Sequence, residues 1–228
     1  MVKRILFLAL LFILGQCQVS AVEDIVFTGF ISDNAGILSE DVKNDLNMTL
    51  WDLQKKSGAD IAVVTLTDLN GQSVEDAALE IGRKYKIGAA GKNNGVVFLT
   101  AINDRKMRFE LGRGLENKID ISTLVNIRDK DVLPYYRLND YESGISRGTY
   151  ILAQTVANAE GVNIKSQGIC PEQMSDNYYH KREKPPFWVY ILAIILAPFR
   201  RRRRFDSSGF GGFGGGGGFG GCGCSGSW

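Results

Sequence analysis

Oxygen-bearing side chains in predicted loops are the residues of this sequence best suited to chemistry. Asp33, Asn93, Asn94, Asp104 and Asp140 stand at predicted strand ends, in loops or at a helix start. Carboxylate and amide oxygens are the ligands that Ca²⁺ and Mg²⁺ prefer, so these five are candidate cation ligands. The alternative is local, because Asp and Asn in turns commonly accept hydrogen bonds from nearby backbone N–H groups. Helix capping alone explains Asp140.

Side chains needed for several common catalytic sites are missing from the central sequence. The only histidine is His180, and none of the four cysteines lies between residues 22 and 161. A Ser-His-Asp triad, a histidine-bound zinc and a cysteine nucleophile are therefore excluded there. The loop GAAGKNNG, residues 88–95, lacks the Lys-Ser/Thr ending of a P-loop and precedes a predicted strand instead of a helix.

Three arginines near these loops, Arg105, Arg108 and Arg113, are candidate ligands of an anionic substrate. Arg108 alternates with apolar residues in a predicted strand. That alternation places it on a solvated strand face as readily as in a cleft.

Hydrophobic spacing predicts the elements that position these residues. Helical periodicity and capping signals predict helices over residues 39–56, 73–85, 123–133 and 141–159. A continuous apolar run at 61–66 predicts a strand buried on both faces, and residues 96–101 and 107–111 predict a hairpin. The predicted fold class is α/β, a small mixed sheet packed between helices.

The N-terminus has the pattern of a secretory signal peptide. Lys3 and Arg4 precede an apolar stretch at residues 5–14, and small residues end at Ala21. We expect export with cleavage after Ala21, so that residues 1–21 are removed. Ten apolar residues fall short of the roughly 20 that span a bilayer, which disfavours a retained anchor. Lipidation of Cys17 is a further alternative, disfavoured by Gln16 where a small residue is expected.

A second apolar segment, residues 187–199, is followed by five arginines at residues 200–204. Thirteen helical residues extend about 20 Å, against a hydrocarbon core of roughly 30 Å. We predict a short transmembrane anchor, with the arginines marking the cytoplasmic side. A buried or interfacial segment is the alternative. The predicted location is the cell membrane, single-pass, with the domain on the extracytoplasmic side and the C-terminal tail in the cytoplasm.

The remaining segments flank this anchor. Residues 162–186 are a predicted linker, and residues 200–228 are a basic, glycine-rich tail in which 12 of the last 20 residues are glycine. Glycine loses the most conformational freedom on ordering and has no side chain to bury. We therefore predict that this tail is disordered.

Charge distribution argues against a nucleic-acid partner. The whole chain carries a formal net charge of +2, but residues 22–160 contain 16 Lys and Arg against 21 Asp and Glu, a net charge of −5. The basic excess lies in the signal peptide and around the anchor. A nucleic-acid interface needs a basic surplus on the folded part to neutralise phosphates, and this domain has none.

Four ordered segments carry a family resemblance: ISDNAGILSE, GADIAVVTL, NNGVVFLTAINDRKMRFELGRGLE and LPYYRLNDYESGI. In this order and spacing the chain resembles the TPM-domain family over about residues 27–160, which makes residues 22–161 the predicted domain. The arrangement of leader, domain, single anchor, arginines and glycine-rich tail is similar to the YgcG-type bacterial members. The resemblance implies a three-layer α/β/α fold.

The resemblance also implies functions. Family members have been associated with divalent-cation binding, with acid phosphatase activity in a thylakoid-lumen relative, with photosystem repair and with modulation of a nematode acetylcholine receptor. Carried onto this sequence, it favours Asp33, Asn94, Asp104 and Asp140 as a shared cation site for Ca or Mg. Asn93, Asn117 and Asn139 depart from the family pattern, and loss of an anionic ligand at position 93 should weaken the site.

Two functions follow as expectations. The first is an accessory or modulator of a membrane or envelope protein assembly that binds a divalent cation without catalysis. The second is a metal-dependent acid phosphatase, in which the cation polarises a phosphoryl oxygen. Binding is favoured, because the sequence offers no general base beyond the carboxylates that the cation itself would need.

Overall fold

The computed structural model describes Val22, residues 25–164 and residues 212–228. The predicted signal peptide, most of the linker, the apolar segment 187–199 and the arginines 200–204 lie outside the described residues. Within the described part of the chain, no helix combines the length and the apolar character needed to cross a bilayer.

A five-stranded mixed sheet organises the described chain. Its strands lie side by side in chain order: β1 Ile31–Asp33, β2 Asp60–Leu66, β3 Gly95–Ala101, β4 Lys106–Gly112 and β5 Phe219–Ser227. The first three strands are parallel, and β4 runs antiparallel to both β3 and β5. The predicted hairpin is confirmed as β3 and β4.

Six helices accompany the sheet within the described residues: α1 Glu40–Ser57, α2 Val74–Lys84, α3 Arg113–Glu116, α4 Ile121–Ile127, α5 Leu133–Arg137 and α6 Tyr141–Ala159. Three helices have side-chain caps: Ser39 caps α1, Ser73 caps α2 and Asp140 caps α6. Each capping side chain accepts a hydrogen bond from the backbone N–H three residues later. The predicted helix over 123–133 is confirmed as helical backbone, but a π-helical turn, Arg128–Val132, divides it into α4 and α5. Hydrogen bonding thus changes in mid-segment although the apolar spacing continues.

Two apolar cores lie on opposite faces of the sheet. Alternate residues of β2 point to each face: Ile61 and Val63 join one core with α1 and α6, whereas Ala62 and Val64 join the other with α2. Strand residues that are buried on both faces account for the continuous apolar run in the sequence. The predicted mixed sheet between helical layers is confirmed.

The glycine-rich tail is ordered where it is described, so its predicted disorder is wrong for residues 212–228. Its strand β5 pairs with the edge of β4, from Lys106 opposite Ser227 to Leu111 opposite Cys222. The physical reason is that the edge of β4 offers N–H and C=O groups to which the tail backbone bonds. The composition of the tail alone does not reveal these partners. Phe219 adds a buried ring, 2% exposed.

A buried carboxylate fixes the point where the tail reaches the domain. Asp60 accepts hydrogen bonds from the N–H groups of Gly88 and Gly214, at 2.9 and 2.6 Å, and from Gln54 at 2.8 Å. Burial raises the pKa of Asp60 above its ordinary value, against the effect of these donors. The first residue of β2 thereby holds a tail residue 154 positions later in the chain.

Candidate functional site

Several predicted site residues lie at one end of the sheet, where the parallel strands have their carboxyl ends. Asp33 is the last residue of β1, and Asp104 lies in the turn after β3. β2 separates these two strands, so the strands themselves are about 10 Å apart. Asp104 accepts a hydrogen bond from the N–H of Leu69 at 2.7 Å, which ties this turn to the loop after β2.

Asp33 is a fully engaged carboxylate. One oxygen accepts the Thr65 hydroxyl at 2.6 Å and the N–H of Ile37, while the other accepts the N–H of Leu38 and lies 3.3 Å from the Lys43 ammonium. Burial alone would raise the pKa of Asp33, but these donors outweigh it and hold the pKa below its ordinary value. Asp33 is therefore ionised at neutral pH and serves first to fix the turn between β1 and α1.

The start of α6 completes this end of the domain. Asp140 accepts the N–H of Ser143 as the cap of α6, at 3.3 Å. Two residues later, Glu142 accepts the N–H of Ser39 at 2.6 Å, so the starts of α1 and α6 are joined. Three of the four predicted ligands thus occupy the carboxyl-end rim, which we define as the loops holding Asp33, Asp104 and Asp140.

The end of the tail lies between two parts of this rim. The N–H of Trp228 donates to the carbonyl oxygen of Arg105 at 3.4 Å, beside Asp104. Its indole ring packs edge-on against Tyr136, with centroids 4.5 Å apart, and lies 5.8 Å from Tyr141, the residue after Asp140. Trp228 therefore connects the Asp104 turn to the beginning of α6.

Asn94 lies at the other end of the sheet and does not join the rim. It immediately precedes β3, whereas Asp104 follows it, and seven strand residues extend about 23 Å. Its side-chain oxygen accepts the N–H of Ala89 at 3.0 Å. Among the described residues, no group of three or more His, Cys, Asp or Glu side chains is arranged to hold a metal ion. The four predicted ligands therefore do not form one site.

Asn93 is the residue of this loop that departs from the family pattern, and it has a role that the sequence did not indicate. It adopts a left-handed backbone with φ 49°, which Asn tolerates better than most residues. Its side-chain oxygen accepts the N–H of Gly218 at 3.2 Å. The residue thus helps to seat the tail.

Arg108 is unavailable to an anionic substrate, contrary to the expectation from its position. It is 6% exposed and pairs with Glu110 at 2.6 Å on the β4 face toward α2. Its Nη1 donates to the Ser225 hydroxyl at 2.9 Å, and Nη2, the nitrogen paired with Glu110, also donates to the carbonyl oxygen of Gly221 at 3.1 Å. Both partners belong to β5, so only the position of the tail reveals this use of Arg108.

Two buried groups of the described chain are held in their protonated form. Burial raises the pKa of the Cys224 thiol to about 11 and that of the Tyr136 hydroxyl well above its ordinary value. Burial also raises the pKa of Glu110, which is paired with Arg108. A nucleophile is activated by a lowered pKa or a neighbouring base, so neither the Cys224 thiol nor the Tyr136 hydroxyl is an activated nucleophile.

The sheet and the two helical layers define the class as a small α/β domain with acidic loops at the carboxyl end of its parallel strands. The chain belongs to the TPM domain family: the TPM domain model, under the name TPM phosphatase, matches residues 31–155. No curated protein matches the chain.

Three similar solved structures come from bacteria. The N-terminal domain of a P. gingivalis protein, determined by solution NMR, is 28% identical with a TM-score of 0.57, covering 63% of this chain and 96% of that one. BA42 from Bizionia argentinensis is 16% identical with a TM-score of 0.47, covering 54% and 83%. The N-terminal domain of a Corynebacterium glutamicum protein is 14% identical with a TM-score of 0.44, covering 63% and 85%.

Proposed function

We propose that this TPM-family protein is an exported, membrane-attached binding protein, an accessory of a membrane or envelope protein assembly, with residues 187–199 at the membrane and the docked tail on the same side as the domain. Its carboxyl-end rim binds a divalent cation, Ca or Mg, through Asp104 and Asp140. The observation that carries this proposal is the gathering of Asp33, Asp104 and Asp140 at one end of the sheet.

The hydrogen bonding of the rim limits what such a site contains. Asp33 already has four donors, including Lys43, which supplies its counter-charge. Asp104 and Asp140 are the other two predicted carboxylate ligands of the rim, and Asn94 is too distant to contribute. A cation held by two carboxylates keeps several of its waters, which is the usual state of protein-bound Mg²⁺. The proposed site is therefore hydrated and weak.

Binding is favoured over catalysis by the state of the titratable groups. Asp33, which already has four donors, has a lowered pKa and is a poor proton acceptor at neutral pH. The acid phosphatase alternative requires a general base near the cation, whereas Asp104 and Asp140 are themselves the proposed ligands.

Cation titration followed by thermal unfolding tests the site. At ten times the Kd, a ligand that binds only the folded state contributes about 1.4 kcal/mol, which raises the Tm by roughly 2–5 °C for a domain of this size. Asp104→Asn should abolish the increase while keeping the acceptor for Leu69. Asp120→Asn, an exposed position away from the rim, is the matched control and should respond like the unaltered protein. An unchanged Tm at millimolar Ca²⁺ and Mg²⁺ would contradict the proposal.

Carbonate extraction tests the membrane attachment separately. We expect the full chain to remain with the membrane and a chain ending at Lys184, which lacks residues 187–199, to be released. Release of both proteins would show that this segment does not hold the protein at the membrane.

A further inference from the structure

The edge of β4 is a built site for a strand of particular composition. Register pairs run from Lys106 opposite Ser227 to Leu111 opposite Cys222, and a bulge at Gly112 leads to Phe219. Two aromatic residues mark the ends of the bound segment: Phe219 packs beneath α2 and Trp228 packs against Tyr136. A bound segment is therefore fixed by backbone pairing between two side-chain anchors.

Close backbone approach makes the site selective for glycine. A Cβ at position 223 would overlap the carbonyl oxygen of Phe109, and one at position 226 would lie 2.6 Å from the Arg128 side chain. At position 218 a Cβ would overlap the Asn93 side chain. The ligand class is consequently an extended glycine-rich segment with an aromatic residue at each end.

The rest of the domain is complete without this strand. Both cores are built overwhelmingly from residues 22–164, with Phe219 and Cys224 as the buried residues that β5 contributes. The P. gingivalis relative was solved as an isolated N-terminal domain that matches 63% of this chain. Four of the nine residues of β5 are glycine, whose ordering is entropically costly. The entropic cost of ordering these glycines opposes the docking of β5 more than it would oppose a strand without glycine.

The β4 edge carries charged side chains that protect it from non-specific strand pairing when β5 is not docked. Arg108 and Glu110 pair with each other on one strand at 2.6 Å, so the charged pair persists when Ser225 and Gly221 are absent. Charged side chains on an open edge oppose indiscriminate strand pairing. A strand binds this edge when it offers hydrogen-bond acceptors to Arg108 and has a glycine next to the Phe109 carbonyl oxygen. Strands without these features are disfavoured.

We propose that the β4 edge is a strand-binding site and that it binds the glycine-rich segment of a second copy of this chain as well as its own. Residues 165–211, 47 residues in length, join the domain to the segment. A connection this long restricts the choice of domain only through effective concentration. Two copies carry identical segments and identical edges, so the exchange is reciprocal and closes as a two-fold dimer.

Cross-strand disulfides distinguish the two sources of the strand. Lys106 and Ser227 are exposed and directly opposite each other, so cysteines at these positions are within disulfide reach. The background is the chain after cleavage at Ala21, which lacks Cys17, with Cys170→Ser, Cys222→Ser and Cys224→Ala, checked by thermal unfolding. Under mild oxidation the double variant Lys106→Cys/Ser227→Cys should form an intrachain bond. Adding Gly223→Val should abolish it, because its side chain meets the Phe109 carbonyl.

Mixing two single variants tests the second copy. Chains carrying Lys106→Cys, incubated with chains carrying Ser227→Cys, should give a disulfide-linked heterodimer at least about tenfold above the yield from Lys86→Cys with Ser227→Cys. Lys86 is exposed near the opposite end of the sheet and serves as the matched control. Heterodimer no greater than the control, with the intrachain bond present, overturns exchange between copies. Absence of the intrachain bond overturns the strand-binding site itself.

Discussion

At Asp33, one carboxylate holds the turn between β1 and α1 together. Its donors come from three places: the backbone of the turn, the neighbouring strand through Thr65, and the first turns of α1 through Lys43. Removing such an acceptor leaves buried donors without partners, which costs more than the net value of the bonds themselves. The residue therefore has a structural duty whether or not a cation binds nearby.

Asp33→Asn is predicted to lower the free energy of unfolding by about 2–3 kcal/mol at pH 7. Because the folded pKa of Asp33 lies below the ordinary value of 3.8, its contribution is present above about pH 4 and is lost as pH falls through the folded pKa. The difference from the unaltered protein should therefore shrink below pH 4. Urea unfolding at pH 7 and pH 3 measures it.

The exposed carboxylate of Asp120 supplies the control for this experiment. Asp120→Asn should change the free energy of unfolding by less than about 0.5 kcal/mol at both pH values. A deficit for Asp33→Asn that is equal at pH 7 and pH 3 would show that the carboxylate charge is not what stabilises the turn.

Residue-level prediction succeeded where the partner is near in sequence. Ser39, Ser73 and Asp140 were predicted caps or helix starts, and each accepts the N–H three residues later. Arg108 could not be placed in the same way, because its Ser225 partner lies 117 residues away. A local pattern carries no information about a contact of that separation.

Among the secondary-structure elements, β5 is the one whose residues least favour the conformation that it adopts. The helices α1, α2 and α6 have helical spacing and capping residues, and they were predicted nearly to their ends. β5 contains no β-branched residue, and its strand conformation comes from the open edge of β4. β1, with three residues, is equally a product of its neighbour β2.

Gly82→Ala is predicted to release the tail without unfolding the domain. A Cβ at position 82 would lie 2.7–2.9 Å from the ring of Phe219, so that ring must leave its place under α2. Alanine favours the helix interior over glycine by about 1 kcal/mol, which offsets part of the lost packing. Hydrogen exchange should show faster exchange of the β5 amides and of the β4 amides that pair with β5, and unchanged exchange of the β2 and β3 amides.

A double variant separates the steric effect from a general one. In Gly82→Ala/Phe219→Ala the offending ring is absent, so tail protection should be no lower than in Phe219→Ala alone. Slower exchange at β5 in Gly82→Ala than in the unaltered protein would contradict the proposed role of Phe219 as an anchor.

For the whole molecule, the three-layer α/β/α plan was within reach of the sequence, and the family resemblance is confirmed over residues 31–155. The position of the tail could not be predicted from the sequence, because a glycine-rich composition favours disorder and the open edge of β4 was not known. A strand belongs to the same side of a membrane as its sheet. Docked β5 is therefore incompatible with a single crossing by residues 187–199 that leaves domain and tail on opposite sides.

Thiol labelling in intact cells is the most direct test that the C-terminal segment completes the sheet of its domain. Asp120→Cys reports on the domain and Ser227→Cys on the tail, each in the chain with Cys170, Cys222 and Cys224 replaced; both positions are exposed. A membrane-impermeant reagent should label both cysteines from the same side. Labelling of position 227 only after permeabilisation, with position 120 labelled before it, would contradict the docked tail.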